Sequence, residues 1–188
     1  MDAALDLFAR HGFDATSVRM IARAAGVRES ALYHHFKNKA SLLVDMVQLI
    51  SQRRSDNMAQ LLADTVGQDL HSVLEHLVAQ IARVMRSDKP RKFVQMMMLS
   101  GASEATTQVR GKLGEGGAEQ LSEFFRALQK RKLVRKELDP RMVAHWFFMP
   151  LFTAFYSPFS PDQALFSEAA LRRLLAQHVA ILARGIGV

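Results

Sequence analysis

Apolar residues return every three or four positions along most of this chain, the spacing of helices with one buried side. The first helix is predicted from about Asp2 to His11, with Ala4, Leu5, Phe8 and Ala9 inward and Gly12 as its stop. A second runs from about Ser17 to Ala24, with Val18, Ile21, Ala22 and Ala25 at helical spacing and Thr16 or Ser17 able to accept from an orphan N–H of its first turn. Gly26 then falls where the chain must leave that helix with positive φ, and Val27 follows as a small apolar plug between helices. In a third short helix Ala31, Leu32 and Phe36 form the buried side. That leaves Arg28, Glu29, Ser30, Tyr33 and His34 outward, a set of donors, acceptors and a flat ring suited to base edges and phosphates.

Beyond this point the helices lengthen. Lys39 to about Ala63 forms a fourth, with Leu42, Leu43, Met46, Val47, Leu49 and Ile50 inward, and it reads as the one covalent link between a small head and a larger body. Gly67-Gln68-Asp69 breaks the pattern before a fifth helix, about Leu70 to Met85. Pro90 opens a sixth, to about Ser100, containing Phe93 and Val94, in which Met96, Met97, Met98 and Leu99 in a row cover more than one face; a methionine cluster suits a pocket wall. The four glycines between Gly111 and Gly117 are expected to interrupt a seventh helical region, which resumes from Ala118 to about Lys132 with Leu121, Phe124, Phe125 and Leu128 inside. Asp139-Pro140 starts an eighth, apolar on nearly every side, with Pro150 bending it. Ser160-Pro161-Asp162 opens a ninth, and helices eight and nine can supply half of an intermolecular four-helix bundle.

With 188 residues and 49% hydrophobic content, the chain can bury a substantial core. No run of about 18 purely apolar residues and no signal-peptide pattern is present, so neither a membrane span nor secretion is expected. The absence of cysteine excludes a disulfide scaffold, a thiolate nucleophile and Cys-ligated zinc, and is consistent with the cytoplasm. A net charge of +7 suits a polyanionic partner, yet residues 1–49 hold six Lys/Arg against five Asp/Glu, leaving only +1 there. Placement of individual cations therefore matters more than their total.

The run Gly12-Phe13, Thr16-Ser17-Val18, Ile21-Ala22, Ala25-Gly26-Val27, Leu32-Tyr33-His34-His35-Phe36, Lys39 and Leu42-Leu43 resembles the helix-turn-helix domain of the TetR family of transcriptional regulators. Members usually have a longer lead-in to the first helix, whereas this sequence begins one turn into it. The resemblance implies an all-α protein of about nine helices, with a DNA-binding domain at 1–49 and a ligand-binding and dimerisation domain at 50–188. It further implies a cytoplasmic homodimer joined through the last two helices, most often a repressor on a palindromic operator, released by a small apolar or aromatic effector. Helix geometry and the family's motif positions together assign phosphate contacts to Ser17, Tyr33, Lys39 and His35, and base edges to Arg19, Arg28, Glu29, Ser30 and His34. For the effector, a wall drawn from Phe93, Met96, Met97, Phe124, Trp146, Met149, Phe152 and Tyr156 is expected.

Other chemistries find less support. GKLGEGG, residues 111–117, lacks the spacing and terminal Lys-Ser/Thr of a phosphate-binding loop. His71 with Glu75, His76 and the pair His34-His35 have no third ligand at metal spacing, and no nucleophile elbow, dinucleotide fingerprint or paired-carboxylate arrangement appears, so neither catalysis, cofactor nor metal is expected. The basic cluster Arg126 to Lys136 reads as a solvated helix end. The competing class is a helical hydrophobe-binding or scaffold protein that has lost DNA binding.

Overall fold

The structure is a computed structural model, and it describes residues 1–89, 92, 96, 104–156 and 168–188. Among these the chain forms eight α-helices: α1 (Asp2–His11), α2 (Val18–Ala25), α3 (Glu29–His35), α4 (Lys39–Asp64), α5 (Leu70–Arg86), α6 (Glu104–Lys130), α7 (Pro140–Tyr156) and α8 (Glu168–Ile186). The all-α class holds. All but two residues of the helix expected over 90–100 lie outside the described residues, and so does the expected start at Ser160-Pro161-Asp162.

Two compact units emerge, Met1–Arg54 with Val84–Gly116, and Ser55–Arg83 with Gly117–Val188. The chain thus crosses between them three times, inside α4, α5 and α6, where the sequence suggested a single link. In the first unit Ala4, Leu5 and Phe8 of α1 meet Phe13, Ile21 of α2, Leu42, Leu43, Met46 and Val47 of α4, and Met96. Phe8 and Leu43 are wholly buried, each such side chain stabilising the unit by roughly 1.5–3 kcal/mol. Leu49, expected inside, is 44% exposed, because the inner stripe of α4 narrows beyond Val47.

The second unit is built around Val73, Leu74 and Leu77 of α5, Phe124, Phe125 and Leu128 of α6, and Val143, Phe147 and Leu151 of α7, closed by Leu175, Val179 and Leu182 of α8. Edge-to-face rings Phe124–Phe125 and Phe125–Phe147, with centroids 5.8 and 5.6 Å apart, knit three of these positions. The chain end returns to this core, where Arg135 N donates to Ile186 O at 2.9 Å and Val134 bridges Gly187.

The interruption expected at the glycine run is corrected here: α6 is continuous from Glu104 to Lys130, straight through Gly111, Gly114, Gly116 and Gly117. A helical glycine costs about 1 kcal/mol relative to alanine, which flanking helical turns can absorb, so glycine alone does not stop a helix. At Gly116 a Cβ would stand 3.9 Å from Arg54 Nη2, an ordinary contact, so packing there does not demand glycine. Helix α7, apolar on nearly every side, buries one face and exposes another. Val143, Ala144, Phe147 and Leu151 face the core, whereas Met142, Trp146 and Met149 are 47%, 52% and 42% exposed. No helix among the described residues is long and apolar enough to cross a membrane.

Candidate nucleic-acid interface

Helix α2 is capped at both ends by its own residues. Ser17 is the N-cap, its Oγ accepting from Met20 N at 3.2 Å, while Thr16 turns inward and donates from Oγ1 to Gly12 O at 2.8 Å. Of the two cap candidates the chain uses Ser17, and Thr16 is instead buried as a brace of the α1–α2 turn. At the far end Gly26 has φ 68° and ψ 26°; its N–H donates to Arg23 O, and Val27 N donates to Ala22 O at 3.0 Å. Both bonds together are a Schellman stop, which requires the left-handed conformation that glycine adopts without a Cβ penalty. The turn is as expected, but Val27 is 45% exposed and plugs nothing.

After this stop, α3 stands almost free of the core. None of its residues is buried: Leu32, with Phe36 just beyond, is half-buried against the first unit's core, and Ala31, expected inside, is exposed because Leu32 already occupies the narrow contact line. Arg28, Glu29, Ser30, Tyr33, His34 and His35 are all exposed, Tyr33 by 53%. Glu29 in the first turn and His34 and His35 in the last suit the helix dipole. Across the hairpin, Arg19 Nε of α2 lies 3.9 Å from Glu29 Oε1, an exposed pair that sets one cation beside one acceptor. Eight of the nine residues predicted to touch DNA, Ser17, Arg19, Arg28, Glu29, Ser30, Tyr33, His34 and His35, are therefore solvent-facing and carried by α2, α3 and their flanks.

Lys39 differs. Its Nζ donates to Phe13 O at 2.6 Å, Thr16 O at 2.8 Å and Asp14 O at 3.3 Å, and sits 4.3 Å from the centroid of the Phe13 ring. Burial lowers the pKa of this ammonium and Asp14 nearby raises it. Three carbonyls and a ring face hold the charged form in place. Beside it Asn38 and Ser41 exchange bonds, Ser41 N to Asn38 Oδ1 at 2.8 Å and Asn38 N to Ser41 Oγ at 3.2 Å, a reciprocal cap at the start of α4. That cap was legible as a polar residue followed three positions later by serine, a pattern the sequence reading passed over. Arg23, exposed on α2, is a further cation it did not assign.

Charge partition also changes the picture. The first unit carries fourteen Lys/Arg against eight Asp/Glu, and the second eleven against ten, so +6 of the net +7 belongs to the unit that bears α2 and α3. Two of the head's acids are neutralised within that unit, Asp2 by Lys89 at 2.8 Å and Asp6 by Lys92 at 2.8 Å.

Of the eight residues predicted for the effector wall, the structure describes the side chains of five. Met96 is buried in the core of the first unit and Phe124 in that of the second. Trp146 and Met149 face outward, Phe152 is half-buried, and Phe93, Met97 and the side chain of Tyr156 lie outside the described residues. A cleft of about 450 Å³ in the second unit is lined by Asp69, Leu70, His71, Lys132, Leu133, Ala180, Ala183, Arg184, Gly187 and Val188, none of them among those eight. His71 and Glu75 form an exposed i, i+4 pair at 3.5 Å.

A capped helix, a left-handed glycine turn and a second helix with a polar outer face define a helix-turn-helix head. Residues 1–46 match the model for "Bacterial regulatory proteins, tetR family", and the head resembles the DNA-binding domain of that family. It is 37% identical over 78 residues to the transcriptional repressor KstR2 of Rhodococcus jostii, a match that covers 42% of this chain and 37% of that protein. The chain spans under half the length of the curated relatives it matches. Over the whole chain the fold is that of a TetR-family regulator from Mesorhizobium loti, with TM-score 0.79 and 22% identity, covering 100% of this chain and 94% of that one. It is similarly that of SmeT, the repressor of a Stenotrophomonas maltophilia multidrug efflux pump, in complex with triclosan, with TM-score 0.75, 20% identity and coverage of 96% and 88%.

Proposed function

We propose that this protein is a cytoplasmic transcriptional repressor that reads a palindromic operator as a homodimer and is released by a small apolar or aromatic effector. The observation that carries the reading is α3, a helix with no buried residue whose outer face is Arg28, Glu29, Ser30, Tyr33, His34 and His35. A short helix left uncovered at the end of a rigid turn has the shape of an element meant to enter a major groove. Base edges are assigned to Arg19, Arg28, Glu29, Ser30 and His34, and phosphates to Ser17, Tyr33 and His35, within a reading head of residues 1–49. Residues 50–188 supply effector binding and pairing. The exposed stripe Met142, Trp146 and Met149 on α7, with Ile181 on α8 exposed by 71%, favours a second copy as its cover. Support for an apolar effector comes from the fold shared with the triclosan-bound SmeT and from the aromatic content of the second unit.

Mobility shift with duplexes from the promoter beside its own gene tests the reading. Binding should require both halves of a palindrome and should weaken steeply with salt. Arg28→Ala should weaken specific binding on the order of ten- to a hundredfold and relax preference at one base pair per half-site, with non-specific binding little changed. Palindrome-independent binding of equal strength to any duplex would refute the assignment.

A further inference from the structure

Lys39 stands at the first position of α4, yet its ammonium belongs to a turn more than twenty residues earlier. All three of its N–H donors have partners, the carbonyls of Phe13, Asp14 and Thr16, and the remaining side is covered by the Phe13 ring. An ammonium has three donors and no more, so nothing is left to offer a phosphate oxygen without breaking one of these bonds. The three acceptors belong to the segment that ends in the Ser17 cap of α2. Thr16 is held by Lys39 at its carbonyl and by Gly12 O at its hydroxyl, so the residue before the cap is fixed from two sides.

Resting on the DNA-reading assignment above, we propose that Lys39 is a positioning residue for DNA binding: it ties the start of α4 to the α1–α2 turn, fixes the first turn of α2, and makes no direct bond to phosphate. Any movement of the start of α4 then pulls on the turn that aims Ser17 and Arg19. Two consequences separate this role from that of a phosphate ligand. A phosphate ligand releases counterion, and losing it lowers the steepness of the salt dependence by about 1, whereas losing a tether leaves the steepness alone. Arginine serves a phosphate as well as lysine does, but its planar, diverging donors cannot converge on three carbonyls gathered about a single nitrogen.

The experiment measures operator affinity against salt for the wild type, K39M and K39R, and amide exchange of the same proteins. Both variants should bind about tenfold or more weakly, with the wild-type salt slope. Amides of Met20 and Ile21, which close the first turn of α2, should exchange faster, while those of Leu74 and Leu77 in the other unit stay as protected as before. A slope lower by about 1 for K39M, with K39R binding like the wild type, overturns the proposal and makes Lys39 a phosphate ligand. Unchanged exchange at Met20 and Ile21 in both variants overturns it too. Should K39M fail to fold, K39R carries both readouts. A wild type that binds no duplex refutes the DNA-reading assignment, and the exchange measurement then decides the tether by itself.

Discussion

Single residues carry the head because its helices are too short to hold themselves. Two turns of α2 satisfy few of their own backbone groups, so Ser17 and Gly26 decide whether it forms. A Cβ at Gly26 would meet nothing within 4 Å, and the cost of Gly26→Ala is therefore conformational alone. Denaturant unfolding should find that variant about 1–2 kcal/mol less stable than the wild type, and an unchanged midpoint would mean that the turn is not left-handed. Gly26 was legible because only a residue without a side chain suits that bend. Ser17 was legible as one of two candidates, and the choice between them depended on Thr16 finding Gly12 O, a contact made by folding of the turn. Helix geometry and motif position assign Lys39 to a phosphate; its three acceptors are backbone atoms, and backbone atoms leave no trace in a sequence.

At the scale of elements, sequence pattern succeeded where caps and apolar spacing agreed and failed where one residue type was given too much weight. Asp139-Pro140 does open α7, with Arg141 N donating to Asp139 Oδ1 at 2.8 Å. The glycine run, in contrast, suggested a break in a helix that has none. Gly111 lies in helical backbone with open space around its missing Cβ, so Gly111→Ala should stabilise the protein by about 0.5–1 kcal/mol in thermal or denaturant unfolding; a loop there would give no such gain. The start of α5 offers a test by pH. Ser72 donates to both carboxylate oxygens of Asp69, at 3.0 and 2.9 Å, and these bonds hold its pKa below the ordinary value. Since the folded pKa is the lower one, the stabilisation is present above the unfolded value near 3.9 and disappears as pH falls through the folded value. Unfolding followed from pH 5 to 3 should show Asp69→Asn losing less stability than the wild type, because its amide oxygen caps without titrating.

At the scale of the whole molecule, the open question is what a single copy would do with its outward-facing apolar surface. Met142, Trp146 and Met149 recur at helical spacing on α7, and Ile181 on α8 belongs to the same unit. Isolated exposed apolar residues are ordinary, but a tryptophan flanked by two methionines along one helix face is a stripe, and with Ile181 exposed on the next helix it suits an isologous contact across a two-fold axis. On the proposed reading, pairing would also account for how a short head reads DNA at all. One α3 would touch only a few base pairs, whereas two heads on one dimer would bind as linked sites, their half-sites about 34–36 Å apart or a whole number of turns further. The double variant Trp146→Glu/Ile181→Glu sets charge on one exposed apolar position of each helix without touching α2 or α3. Sedimentation should find it monomeric at concentrations where the wild type is dimeric, and its affinity for a full palindrome should fall by about a hundredfold or more, to that for a single half-site. A dimeric double variant would move the pairing surface elsewhere; a monomeric one with wild-type operator affinity would show that each head reads alone.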